Sequence, residues 1–307
     1  MEIAGITNKR NIIFISFSII SLIIFYLPFK ELLRHSFHEE LYSHIILVPF
    51  VSGYFIFLKR KQIRLGMGYS LKIGSILLIT GILLYFIGEQ RGGLNSNDHL
   101  SLMIFSALVF WIGGFILFYG LKAFKIASFS LLFLFFMIPI PSKVVEAIIS
   151  ILQAGSAEAA YGFFKLTGVP VLREGFIFNL PGMSIEIAKQ CSGIRSSIAL
   201  VITSIIAGQL FLQTNWRKCA LVLSAIPIAI MKNGLRIVTL SLLATYVDPR
   251  ILGSELHKSG GIPFFILALG FLAPILWWLR RTERAYSAAK KVVGKGKDAG
   301  KGIEDKI

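Results

Sequence analysis

A thiol, a guanidinium and an imidazole occupy three separate stretches of this 307-residue chain. Cys191 lies in Gln190-Cys191-Ser192-Gly193-Ile194-Arg195, Arg236 in Asn233-Gly234-Leu235-Arg236, and His257 in His257-Lys258-Ser259-Gly260-Gly261. A thiol that attacks a carbonyl must lose its proton, and the tetrahedral oxyanion it creates must be stabilised. Histidine can take a proton near neutral pH and return it to a leaving amine. A permanently charged guanidinium can hold the oxyanion, more strongly where water is scarce. The proton acceptor is left open at this point: His257 could take the proton, or Arg236 could favour the thiolate by its charge alone. Ser192 and Gly193 are small enough to let another group approach Cys191. Arg195 stands four residues on, where a helix would put it on the same face. A thiol at a helix N-terminus with a cation one turn away is favoured as thiolate. A free cysteine also packs as a small hydrophobe, and so does the second one, Cys219, which reads as structural.

The elements that must position these groups are membrane helices. The chain is 55% hydrophobic and only 16% charged, with a mean hydropathy of +0.74. A soluble domain carries about 25% charged residues. Eight apolar segments can be drawn, at 11–29, 41–58, 71–88, 100–121, 124–140, 193–212, 218–247 and 262–279, each near the roughly 20 residues that span a bilayer. The expected fold is an all-α polytopic membrane protein with a small interfacial helix and β-hairpin before the sixth helix. No cleavable leader is read at the N-terminus; the 12–29 run reads as the first span.

The net charge of +16 suits nucleic acid, but its distribution follows topology instead. One alternating set of connections, from Lys9 and Arg10 to the tail beyond Arg280, holds twenty basic residues against nine in the other. The positive-inside rule makes the richer set cytoplasmic. Both termini are then inside, and the 141–192 connection faces out with Cys191. The tail 281–307 is expected to be a disordered, lipid-facing cytoplasmic end.

Pro139-Ile140-Pro141 should stop the fifth segment. Residues 142–166 read as a helix at the outer interface, and 169–187 as a β-hairpin or three short strands, cut by Gly175 and Pro181-Gly182. That lip could shape a groove for an extended peptide, or simply plug the membrane surface. Glu186 lies near its end, five residues before Cys191. The seventh segment is expected to break at Lys232-Asn233-Gly234-Leu235-Arg236, because charge inside a membrane segment usually faces a polar cavity. Asn233 and Arg236 would share a face. His44 would sit at the outer mouth of the second helix. His35, His38 and His99 read as outer-loop residues, and no histidine has the spacing of a metal motif. No cofactor or metal is expected.

Three ordered motifs, Cys-Ser-Gly-Ile-Arg, Asn-Gly-Leu-Arg-Ile and His-Lys-Ser-Gly-Gly, resemble those of the exosortase/archaeosortase family, as do Tyr42-Ser43-His44 and the Pro139-Ile140-Pro141 break. The resemblance runs from about residue 40 to 280. It implies a membrane-embedded cysteine protease-transpeptidase whose partners are exported proteins bearing a C-terminal sorting tail: a short motif, a hydrophobic helix and a basic cluster. By resemblance Cys191 is the nucleophile, Arg236 the oxyanion stabiliser and His257 the acid/base, the last matching the bacterial pattern. Ser192, Gly193, Arg195, Glu186, Asn233 and His44 are candidate supporting or substrate-binding residues. Unlike the longest bacterial relatives, the chain is expected to carry only its basic tail after a transmembrane domain at 1–280, without an appended extracytoplasmic domain. Two other readings compete: a transporter or flippase for an anionic lipid or glycan, using Lys232 and Arg236, and a non-enzymatic envelope scaffold. Membrane lipids are partners in every case. A soluble nucleic-acid binder is excluded by the hydrophobicity.

Overall fold

The computed structural model describes residues 2–90, 92–250 and 261–304, and side chains within 9–90, 92–250 and 261–285. The chain divides into two compact units, Met1–Glu146 and Ala147–Ile307.

The first unit is built around a helical hairpin. Helix α1 (Glu2–Ile24) turns by 74° into α2 (Tyr26–His38). Pro28 explains the turn: it has no N–H to donate to the Ile24 carbonyl, but fits the first turn of a new helix. A 3-10 turn (Glu40–Ile46) leads into α3 (Leu47–Leu65), followed by α4 (Leu71–Gln90) and the long run α5 (Ser96–Phe133). Asn95 caps α5 by accepting the Asp98 N–H at 2.8 Å. Gly120, at φ 80° and ψ 168°, breaks the run, a conformation open essentially to glycine alone. The chain folds back there, since Ser101 Oγ donates to the Pro139 carbonyl at 2.7 Å and Asn97 Nδ2 to the Ile140 carbonyl at 2.9 Å. The first limb lies against α4, where Gly74, Gly81 and Gly88 meet Leu117, Phe110 and Met103. Small residues are what allow membrane helices this approach. The second limb takes α3, with Ser52 Oγ donating to the Ser130 carbonyl at 2.8 Å. In the most apolar stretch of the Ser96–Met137 run 72% of residues are buried, against 17% in that of α4, as expected of a helix that is apolar on every side.

Among the described residues, six helical runs are long and apolar enough to cross a membrane, or seven if the bent α1–α2 pair is one span. The difference from eight segments arises at 96–137, a single run holding both the fourth and the fifth expected segments on either side of Gly120. The helical turn that follows ends at Met137, just before the Pro-Ile-Pro stop. His35 and His38 lie in α2 and His99 in the first turn of α5, not in loops; His35 stacks on Tyr42, ring centroids 4.7 Å apart. The chain is an all-α polytopic membrane protein carrying one small sheet.

The second unit holds α6 (Ser142–Thr167) from Ala147 on, then β1 (Leu172–Glu174), β2 (Ile177–Leu180) and β3 (Met183–Glu186), a 3-10 turn (Lys189–Ser192), α7 (Ile194–Phe211), α8 (Asn215–Tyr246) and α9 (Gly261–Glu304). The three strands are antiparallel in sequence order, with Phe178 opposite Ile185. Phe178, Leu180 and Ile187 pack on Ala157, Ala160 and Phe164 of α6 and Val238 of α8. Arg173 ties the sheet to α6 through Glu158, at 2.7 Å, and this guanidinium holds the Glu158 carboxyl below the usual carboxylate range. Leu200, Leu221, Ala225 and Leu272 close the interface of α7, α8 and α9. The helical backbone of α9 continues through 281–304, the segment expected to be disordered.

The expected break in α8 is not present: the helix is continuous through Lys232–Arg236, with Pro227 inside it. The physical reason is that Lys232 and Asn233, 3% and 1% exposed, reach hydroxyl and carbonyl partners sideways, so the backbone need not open to satisfy them. At the other end of α8, Glu283 of α9 accepts the N–H groups of Gln213 and Thr214, at 3.0 and 2.7 Å, and faces Arg217 at 3.7 Å. Both charges are buried. Removing one leaves the other uncompensated, so Glu283→Ala should destabilise the fold by about 3–5 kcal/mol. A lowered thermal unfolding midpoint in detergent checks this, and Glu283→Gln, which keeps one carbonyl acceptor and the side-chain volume, should lose less.

Candidate active site

Cys191 does not sit on a helix. It occupies the 3-10 turn between the sheet and α7, half-buried and free of any disulfide. Gly193 follows in the left-handed region at φ 70° and serves as the N-cap of α7. This corrects the expected pairing with Arg195: the left-handed residue between them takes Cys191 off the helical repeat, and Arg195 is exposed on the first turn of α7. The N-terminus of α7 carries no side-chain cap, so the positive end of its dipole lies two residues from the thiol.

The turn is held from α8 and α6. Asn233 Nδ2 donates to the Cys191 carbonyl at 2.7 Å and to Ser156 Oγ at 3.0 Å. Gly193 packs on the same amide: a Cβ there would stand 2.7 Å from Asn233 Oδ1. Its carbonyl accepts both Ser196 Oγ and Ser197 Oγ, at 3.0 and 2.8 Å, and Lys232 Nζ donates in turn to Ser196 Oγ. Ser192 is fully buried in the turn, and its hydroxyl makes no hydrogen bond among the described residues. On the sheet side, Gln153 Nε2 of α6 donates to the Ile187 carbonyl at 2.6 Å, fixing where β3 hands the chain on to Cys191.

These elements line a small open cleft of about 50 Å³. Ile185, Ile187, Ile237 and Leu240 give it apolar walls, and Glu186, Cys191, Asn233, Arg236 and Ser241 its polar groups. Cys191 comes from the turn and Arg236 from α8, so a thiol and a guanidinium share one partly apolar space. There a fixed positive charge acts more strongly than in water. Residues 33–274 match the model of the transmembrane exosortase family, Exosortase_EpsH. The chain belongs to this family. No curated protein and no solved structure matches it.

Of the candidate residues of this exosortase, Cys191, Glu186, Asn233 and Arg236 line the one cleft, and Ser192 and Gly193 form its turn. His44 belongs to the first unit, in the 3-10 turn before α3. His257 lies outside the described residues. Sequence reasoning missed Ser156, Gln153, Ser196 and Ser241. Gln153 carried a faint signal, a long polar side chain amid the apolar positions of α6; the three serines carried none, since serine is common in membrane helices. Gly193→Ala should strain the left-handed turn and press its methyl on the Asn233 amide, destabilising the fold by about 1–3 kcal/mol. Thermal unfolding of the purified variant reads this, and a midpoint equal to the wild type would contradict the turn geometry.

Proposed function

We propose that this exosortase-family protein is a cysteine endopeptidase and transpeptidase of the cytoplasmic membrane, its cleft opening outward and both termini cytoplasmic. The observation that carries the reading is the placement of Cys191 and Arg236 in one cleft beside β3. Its substrates are exported proteins with a C-terminal sorting tail of motif, hydrophobic helix and basic cluster. The tail helix docks among the membrane helices, and its basic cluster stays on the cytoplasmic side, in keeping with the positive-inside rule. The segment before it extends along the lip formed by β1 to β3, placing the scissile carbonyl against Cys191.

The Cys191 thiolate adds to that carbonyl and forms a tetrahedral oxyanion, which Arg236 stabilises by charge and hydrogen bonding. The carbon–nitrogen bond then breaks, His257 protonates the departing amine, and a thioester to Cys191 remains. An external amine, hydroxyl or water attacks the thioester, giving its proton to the same imidazole and releasing the thiolate. The N-terminus of α7 beside the turn supports the anionic forms of this cycle. Arg195, Glu186 and Ser192 keep supporting or substrate-binding assignments in this scheme.

The test is an exported reporter carrying such a tail, co-expressed with the chain and followed by blot. Wild type and Cys219→Ala should shorten the reporter, while Cys191→Ala, expressed to the same level, should leave it intact. Arg236→Ala should slow processing by roughly 100- to 1000-fold, the usual loss on removing one oxyanion donor. Processing by Cys191→Ala would sink the acyl-enzyme. A wild type that leaves the tails of several families uncut would overturn the protease reading in favour of transport of an anionic lipid or glycan.

A further inference from the structure

Two neighbouring residues of α8 reach into the Cys191 turn from below, and the mechanism above uses neither. Asn233 is 1% exposed and donates to the Cys191 carbonyl at 2.7 Å and to Ser156 Oγ of α6 at 3.0 Å. Lys232 is 3% exposed and donates to Ser196 Oγ, which itself donates to the Gly193 carbonyl at 3.0 Å. Among the described residues no carboxylate forms an ion pair with Lys232. A buried lysine and a buried amide in a membrane helix are expensive, and neither is needed to pack α8, whose apolar neighbours already fill that role. The turn they hold has few other anchors: Ser197 meets the Gly193 carbonyl through its N–H and Oγ and Gln153 holds the Ile187 carbonyl before it, while α7 has no side-chain cap and the three strands are only three or four residues long.

We propose that Asn233 and Lys232 are positioning residues that clamp the turn carrying the nucleophile, Asn233 through the carbonyl of Cys191 and Lys232, by way of Ser196, through the carbonyl of Gly193. The clamp acts on the backbone and leaves the thiol free to point into the cleft. It fixes the distance between Sγ and the substrate carbonyl, where a displacement of about 1 Å can lower the rate by roughly 100-fold. Ser156 completes it from the other side by holding the Asn233 amide in its donating orientation. Gly193 is the residue that fits against that amide, since any side chain there meets it. The inference rests on the cysteine-protease reading for its effect on turnover, but not for its effect on the turn.

The experiment uses the full chain in detergent, in a Cys219→Ala background so that Cys191 is the sole thiol. Asn233→Ala, Lys232→Met, Ser156→Ala and the Asn233→Ala/Ser156→Ala double variant are compared. With a cleavable tail peptide, Asn233→Ala and Lys232→Met should lower kcat by about 10- to 100-fold while KM changes little. A purely structural loss would instead lower the amount of active protein and leave kcat per active site unchanged. Ser156→Ala should lower kcat less, and should add nothing once Asn233 is alanine, because its effect passes through that amide. In parallel, the rate of Cys191 alkylation by iodoacetamide reports the turn without any substrate. It should rise several-fold in Asn233→Ala and in Lys232→Met, at unchanged thermal midpoint. If wild type cuts no tail, the protease reading fails and the alkylation arm alone decides the clamp. Alkylation at the wild-type rate in both single variants overturns the clamp, whatever the tail assay shows, and so does additivity of Asn233→Ala and Ser156→Ala. If either single variant fails to fold, the Ser156→Ala comparison and the remaining variant decide it.

Discussion

A polar group taken into an apolar interior has to find its partner there, and the second unit is arranged around that constraint. In a bilayer no water is available to satisfy it. Helix α8 carries Lys232 and Asn233 into its buried middle and stays helical because α6 and α7 bring hydroxyls to meet them and the Cys191 turn brings a carbonyl. The arrangement works in both directions. The donors of both side chains find partners, and the turn that leads into α7 is tied down at two of its carbonyls. The reactive cysteine is therefore held by the same bonds that make the polar residues of α8 tolerable.

The two units answer the lipid problem by different means. The first buries an apolar hairpin, folded at Gly120, inside α1, α3 and α4, and ties it to them with single side-chain hydrogen bonds such as Ser52 to the Ser130 carbonyl and Trp111 to Ser18. Its packing is close because glycines of α4 meet the hairpin. The second unit spends its close contacts elsewhere: Gly193 and Gly234 bring α7 and α6 against α8 at the level of the cleft. At the far end, Glu283 and Arg217 form a buried pair that also satisfies the backbone at the start of α8. A helix fixed at one end by this pair and gripped in its middle by α6 is a stiff platform, which a site that depends on sub-ångström placement requires.

Membership of the exosortase family gives the cleft its chemical context, and the cleft gives the family motifs their geometry. Cys-Ser-Gly and Asn-Gly-Leu-Arg, 42 residues apart at Cys191 and Asn233, meet in one hydrogen bond. The glycine of the first motif is required by a left-handed turn, and the asparagine of the second is what packs against it. Each motif is thus shaped partly by the other, a coupling that neither stretch displays alone.

Much of the architecture was legible in the residues. Long apolar runs can only be helices where no solvent satisfies a backbone, so the polytopic class followed from composition and run length. Gly and Pro-Gly cuts among β-branched residues marked the three strands, and the double proline marked the stop near 138. Residue types and spacing also singled out Cys191, Asn233 and Arg236 as chemically unusual in such a chain. Local sequence misjudged the response of the backbone. Lys232 to Arg236 reads as a helix break because charge in lipid is costly, yet the helix persists, since the partners come from residues 36 and 77 positions away, Ser196 and Ser156. Arg195 reads as a neighbour of Cys191 because helical periodicity is assumed across Gly193, whose positive φ ends that periodicity. Sequence by itself determined which segments are apolar and which side chains could do chemistry, because hydrophobicity and the functional group a side chain carries are properties of single residues. Only tertiary structure decided which of those side chains share a cleft and which carbonyls they hold, because hydrogen-bond partners in a membrane interior are supplied by other helices.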